Sequence, residues 1–153
     1  MGWRNPLWRA PPIARNHPSH QAPLPAALRK RGAWALLLHD IIEGTNATLP
    51  KGTPADVIQL VADMTFPGGT GQEIEEIWGK PEEVRLLKLY NKTQNLIDGR
   101  GLNPSGKQRY ITYTRDLIAD VEKNYPTGLN ITTVAKAICD KRQTELDAEQ
   151  ADA

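Results

Sequence analysis

The sequence holds a single cysteine, Cys139, three histidines and one phenylalanine among its 153 residues. One cysteine excludes an intrachain disulfide framework and any all-cysteine zinc site. No apolar run approaches the ~20 residues that a membrane-crossing helix needs; the longest near-apolar stretch is Ala33–Leu38. An apolar h-region near the N-terminus is also missing, which predicts no secretory signal and a cytoplasmic protein without a membrane partner. Alternating runs bounded by hairpin turns are nearly absent, so strands are not expected. Apolar residues make up 39% of the chain and the mean hydropathy is −0.52. This length and composition predict one globular, all-α domain with a modest core.

Charge is unevenly placed. Six of the 19 basic residues (Arg4, Arg9, Arg15, Arg29, Lys30, Arg31) precede the first acid, Asp40, leaving 13 against 18 acids in the remainder. The basic entry segment also carries Trp3, Trp8 and Trp34, a combination that can hold phosphate-rich ligands or nucleic acid. The alternative is a basic arm over residues 1–14. Nucleic acid is not the expected partner.

Proline and glycine divide the chain into helices and the segments between them. Pro11, Pro12, Pro18, Pro23 and Pro25 make the first 25 residues poor helix material. From Ala26 the chain can be helical; Gly32 should interrupt it, and Ala33–Ile42 reads as a largely buried helix. Thr53-Pro54-Ala55-Asp56 is a helix start with a threonine N-cap and proline at the first position, followed by Val57, Leu60, Val61 and Met64 at helical spacing. Phe66–Gly71 reads as a glycine-rich loop; without a following Gly-Lys-Ser/Thr it is no Walker A motif. Trp78 is expected to anchor that loop to the core. Pro81 opens a helix with Glu82 and Glu83 in its first turn and Gly99 as its stop. A further helix covers about Ser105–Lys123, with Tyr110, Tyr113, Leu117 and Val121 as its stripe. Asn130 can cap the last, in which Ile131, Val134, Ala135 and Ile138 face inward and Cys139 is core. Residues 141–153 read as a polar tail.

The chemistry centres on His39-Asp40. An adjacent imidazole and carboxylate on one apolar helix make an unusual pair to bury without a partner. A divalent cation satisfies both, since neutral imidazole and carboxylate oxygen suit Mn, Fe or Zn. The alternative is a pair hydrogen-bonded to its neighbours. His17-Pro18 lies upstream, Glu43 follows one turn after His39, and Lys88-Leu89-Tyr90-Asn91-Lys92-Thr93-Gln94-Asn95-Leu96 comes later.

Together these stretches resemble the HD-domain metal-dependent phosphohydrolases, most closely the small stand-alone hydrolases related to the (p)ppGpp hydrolase domain of RelA/SpoT proteins. That family carries "HP", then "LLHD-x-x-E-D-T", then "KLADKL-x-NL". The matching stretches here are His17-Pro18, Leu37–Thr45 and Lys88–Leu96. The resemblance implies an HD-type helical bundle over about residues 15–140. It also implies a divalent metal, usually Mn, held by His17, His39, Asp40 and position 91, which is Asn91 in this chain. It makes Glu43 the residue that orients the attacking water or shuttles its proton, and Asn95 a contact to the nucleotide sugar. Tyr113 falls near the nucleotide pocket, and Arg9, with Arg15, precedes His17 where the family places basic residues around the nucleotide. The implied function is hydrolysis of a nucleotide phosphate or pyrophosphate.

The chain departs from the family at three places. Asn91 replaces a metal-binding carboxylate, Gly44 replaces the second acid after His39-Asp40, and the family's first helix has no counterpart, so the N-terminus is atypical or truncated. His20 is a second histidine close to His17, and Asp63 and Asp98 are spare carboxylates. These departures leave a second possibility open, a degenerate HD fold that binds a nucleotide or a protein without turnover.

Overall fold

The structure, a computed structural model, describes residues 24–99 and 103–153. Among these the chain is all-α: α1 (Arg29–Gly44), α2 (Ala55–Met64), α3 (Gly69–Glu76), a 3-10 turn at Ile77–Gly79, α4 (Glu82–Asp98), α5 (Pro104–Asn124) and α6 (Asn130–Ala151). The basic arm over 1–14, and with it Arg9, Arg15, His17 and His20, lies outside the described residues. No helix among the described residues is long and apolar enough to cross a membrane. The chain divides into two compact units, Leu24–Lys88 and Leu89–Ala153, with α4 contributing its first half to one and its second half to the other.

In the first unit α1 packs on α2. Gly32 does not interrupt α1. A Cβ there would meet Leu28 and Leu87 side-chain carbons at 3.1 Å, so glycine serves close packing in mid-helix and offsets its poor helix propensity. The expectation of a largely buried helix is corrected. Leu28, Gly32, Ala35, Leu36 and His39 lie towards one face and are buried, whereas Trp34, Leu37 and Ile41 are exposed. A helix turns about 100° per residue, so an apolar run of this length necessarily covers both faces.

Two further local differences have clear causes. Thr53 does not cap α2; its hydroxyl donates to the Pro50 carbonyl at 2.6 Å, and the helix begins at Ala55 behind Pro54. The glycine-rich segment is not a loop throughout, because α3 starts at Gly69. The Gln72 side chain reaches back to accept the Gly68 N–H at 2.7 Å, satisfying a donor at the helix start. Trp78 lies exposed rather than in the core.

Buried within the same unit, Lys88 Nζ sits 3.3 Å from Glu73 Oε1, donates to the Met64 carbonyl at 3.1 Å and lies 5.6 Å from the Phe66 ring centroid. An ammonium and a carboxylate taken out of water need each other and further polar partners. This ion pair ties α3 to α4 and to the end of α2.

In the second unit, side-chain links join Lys107 to Glu149, Gln108 to Gln143, Arg115 to Asp140 and Glu122 to Lys136. Positions rise along α5 as they fall along α6, so the two helices form an antiparallel hairpin. The polar stretch expected as a tail from 141 is the second half of α6. Leu146 is buried there, and Arg142 donates to the Leu96 and Ile97 carbonyls at 2.7 and 2.8 Å. Those bonds satisfy carbonyls at the C-terminus of α4. Gly99 follows with φ +63, and a Cβ there would stand 2.9 Å from the Arg142 guanidinium. Both constraints select glycine as the stop. Cys139 is core, as expected, but Val134 is exposed.

Candidate functional site

His39 and Asp40 occupy successive positions in the second half of α1. The His39 side chain is fully buried, and its Nδ1 has no hydrogen-bond partner among the described residues. Asp40, about 100° further round the helix, is exposed. The jointly buried pair anticipated from the sequence is therefore corrected to a buried imidazole with a carboxylate at the helix surface.

Glu43 stands one turn beyond His39 on the same face, with Oε1 3.1 Å from Nε2. The carboxylate lies outside hydrogen-bonding geometry with the ring. Half of the Glu43 side chain remains exposed. One helical turn thus presents a buried nitrogen base, a solvent-facing carboxylate and a carboxylate bridging the two environments.

An imidazole buried without a hydrogen bond is costly, and such a nitrogen fits a cation ligand. Imidazole with carboxylate oxygen suits a divalent first-row ion. Among the described residues no three His, Cys, Asp or Glu side chains gather as a metal-binding group. Of the other two implied ligands, His17 lies outside the described residues and Asn91 offers an amide.

Asn91 is buried on α4 in the second unit, one turn before Asn95. Asn95 is exposed, and its Nδ2 donates to the Tyr110 hydroxyl at 2.7 Å. Lys92, almost fully buried, places its ammonium 5.1 Å from the Tyr110 ring centroid, within cation–π range. Tyr113 is buried in α5, one turn beyond Tyr110. The structure therefore joins Asn95 to Tyr110 and Lys92, two residues that sequence reasoning did not single out as site residues. Lys92 lay inside the recognised Lys88–Leu96 stretch. Its burial has no local signal, because the ring that covers it is 18 positions away.

Asn95 also lines a cleft with Lys107, Ile111, Arg142, Glu145 and Leu146. Both cations there are engaged, Lys107 with Glu149 and Arg142 with Glu145. The Arg142 hydrogen bond holds the Glu145 carboxyl below the usual carboxylate range.

No family model, curated protein or solved structure matches this chain.

Proposed function

We propose that this protein is a metal-dependent phosphohydrolase acting on a nucleotide phosphate or pyrophosphate, with (p)ppGpp-like molecules as the favoured substrate class. The observation that carries this reading is the buried His39, whose Nδ1 lacks a partner among the described residues, beside Asp40 and one turn before Glu43. Of the described residues, His39 and Asp40 would hold a divalent ion, Mn being favoured; the resemblance adds His17 and Asn91 to that set. Such an ion, when bound, supplies water activation by lowering the pKa of water towards neutrality.

The chain's own part is proton handling and positioning. Hydrolysis forms a bond from water oxygen to phosphorus and breaks a phosphorus–oxygen bond. Glu43 takes the proton from water, and the departing oxygen takes one up. The half-exposed carboxylate suits exchange of that proton with solvent. Asn95 has its amide N–H engaged by Tyr110, and that bond fixes its rotamer so that Oδ1 can accept from a sugar hydroxyl.

A second reading, a fold that binds nucleotide or protein without turnover, is favoured by Asn91 and Gly44, each standing where the family has a carboxylate. Incubation of the full chain with Mn and ppGpp, followed by 31P NMR, separates the two. Release of pyrophosphate supports the hydrolase. Binding of ppGpp with no product supports the second reading in its nucleotide-binding form, and neither binding nor product contradicts the hydrolase and that form alike.

A further inference from the structure

The outward face of α1 carries a stripe that nothing in the proposed chemistry uses. Trp34, Leu37 and Ile41 are 45%, 55% and 42% exposed, and Lys30, also exposed, continues the line one turn towards the N-terminus. The spacing 30, 34, 37, 41 follows one helical face and reads identically in both directions along the helix. Two copies of such a stripe laid antiparallel fall into register, with Trp34 opposite Leu37 of the second copy and the Lys30 stem along Ile41.

The charges point the same way. α1 opens on Arg29, Lys30 and Arg31, has no acid in its first turn and no base in its last, and carries Asp40 and Glu43 towards its C-terminus. This order opposes the helix macrodipole, which favours anions at the N-terminus and cations at the C-terminus. An antiparallel second copy reverses the penalty, because each basic N-terminal end then meets an acidic C-terminal end. Arg29 and Asp40 lie on one flank of the stripe at about 100° per residue, whereas Glu43 turns towards His39. A two-fold axis brings equivalent flanks together, so Arg29 of one copy reaches Asp40 of the other. An anionic lipid surface complements only the basic end and is repelled by Asp40.

We infer that this face of α1 is a two-fold, antiparallel interface between two copies of the chain. Such an interface is isologous, the commonest kind in closed dimers. Three apolar side chains and a lysine stem make a patch smaller than the ~800 Å² per partner of a standard interface, so a dimer dissociating in the micromolar range is expected.

Sedimentation equilibrium of the full chain over a micromolar concentration series tests this. The expected result is a concentration-dependent mass rising towards twice 17.0 kDa. Leu37→Glu should weaken dimerisation at least tenfold with unchanged helical circular dichroism, because Leu37 is exposed. Arg29→Glu should weaken it by a smaller factor. Orientation is read by mixing Trp34→Cys and Leu37→Cys chains under oxidation. The 34–37 crosslink should outrun 34–34 because the register sets those positions opposite, and the buried native Cys139 should not compete. A monomer at all concentrations, a dimer indifferent to Leu37→Glu, or faster homotypic crosslinking overturns the inference. Binding of a monomer to anionic vesicles through this stripe would overturn it in favour of a lipid surface.

Discussion

His39 Nε2 and Glu43 Oε1 lie 3.1 Å apart on α1, yet the ring is wholly buried and the carboxylate is half in water. A group that spans two environments can exchange a proton with solvent while touching a buried base. Glu43→Gln keeps the shape and removes the proton acceptor. Turnover should fall by about 10²-fold or more while bound Mn is retained. Steady-state rates and metal content of the same preparation check this. Stability should change by no more than ~0.5 kcal/mol, as for most exposed substitutions.

Lys88 and Glu73 make the clearest stability prediction. Both are nearly fully buried and 3.3 Å apart. Lys88→Met leaves a buried carboxylate without its cation and should cost about 3–5 kcal/mol. Adding Glu73→Leu removes the stranded charge and should recover most of the loss. Urea unfolding of both single variants and the double variant measures the coupling.

Burial pushes the Cys139 thiol up to about 11, with Arg115 lowering and Asp140 raising it to smaller extents. The folded state therefore holds the thiol proton where the unfolded chain releases it. This contribution to stability is fully present below the ordinary thiol value of about 8.5 and is lost as pH rises towards 11. A thiol-disulfide reagent at pH 8 should leave the native protein unlabelled and modify it once urea unfolds the chain. Rapid labelling of the native protein would show that the thiol is not enclosed.

Much of the helical plan was legible in the sequence because its signals are local. Pro81 with Glu82 and Glu83, Gly99, and the apolar spacing behind Thr53-Pro54 each mark a helix boundary or face without help from the rest of the chain. α3 was not legible. Four residues rich in glycine argue for a loop, and the helix exists because Gln72 caps it and Glu73 finds Lys88 fifteen positions away. The same limit applies to the site. The His39-Asp40 dipeptide could be read directly, but which of the two is buried depends on the rotational phase of α1. Gly32, packed against Leu87, is part of what sets that phase. Nor could local pattern pair Asn95 with Tyr110, since that contact depends on how α4 and α5 pack.

Asn91 gives a prediction with two opposed parts. A carboxylate there would be a stronger oxygen donor than the amide, so Asn91→Asp should tighten Mn binding by at least about tenfold. Asn91 is buried, and an ionised group there is costly without a cation. The variant should therefore melt below the wild type in chelator and regain the difference when Mn is added. Equal Mn affinity in the two proteins would mean that this side chain does not contribute as a ligand.

The central claim is that His39 and Asp40 hold a divalent ion, and calorimetric titration of the full chain with Mn tests it most directly. The wild type should bind one ion per chain, and His39→Ala and Asp40→Ala should each abolish that binding. Asp40 is exposed, so its variant should keep the wild-type circular dichroism while losing the ion. Wild-type Mn affinity in both variants would contradict the account and leave His39 as a buried structural imidazole.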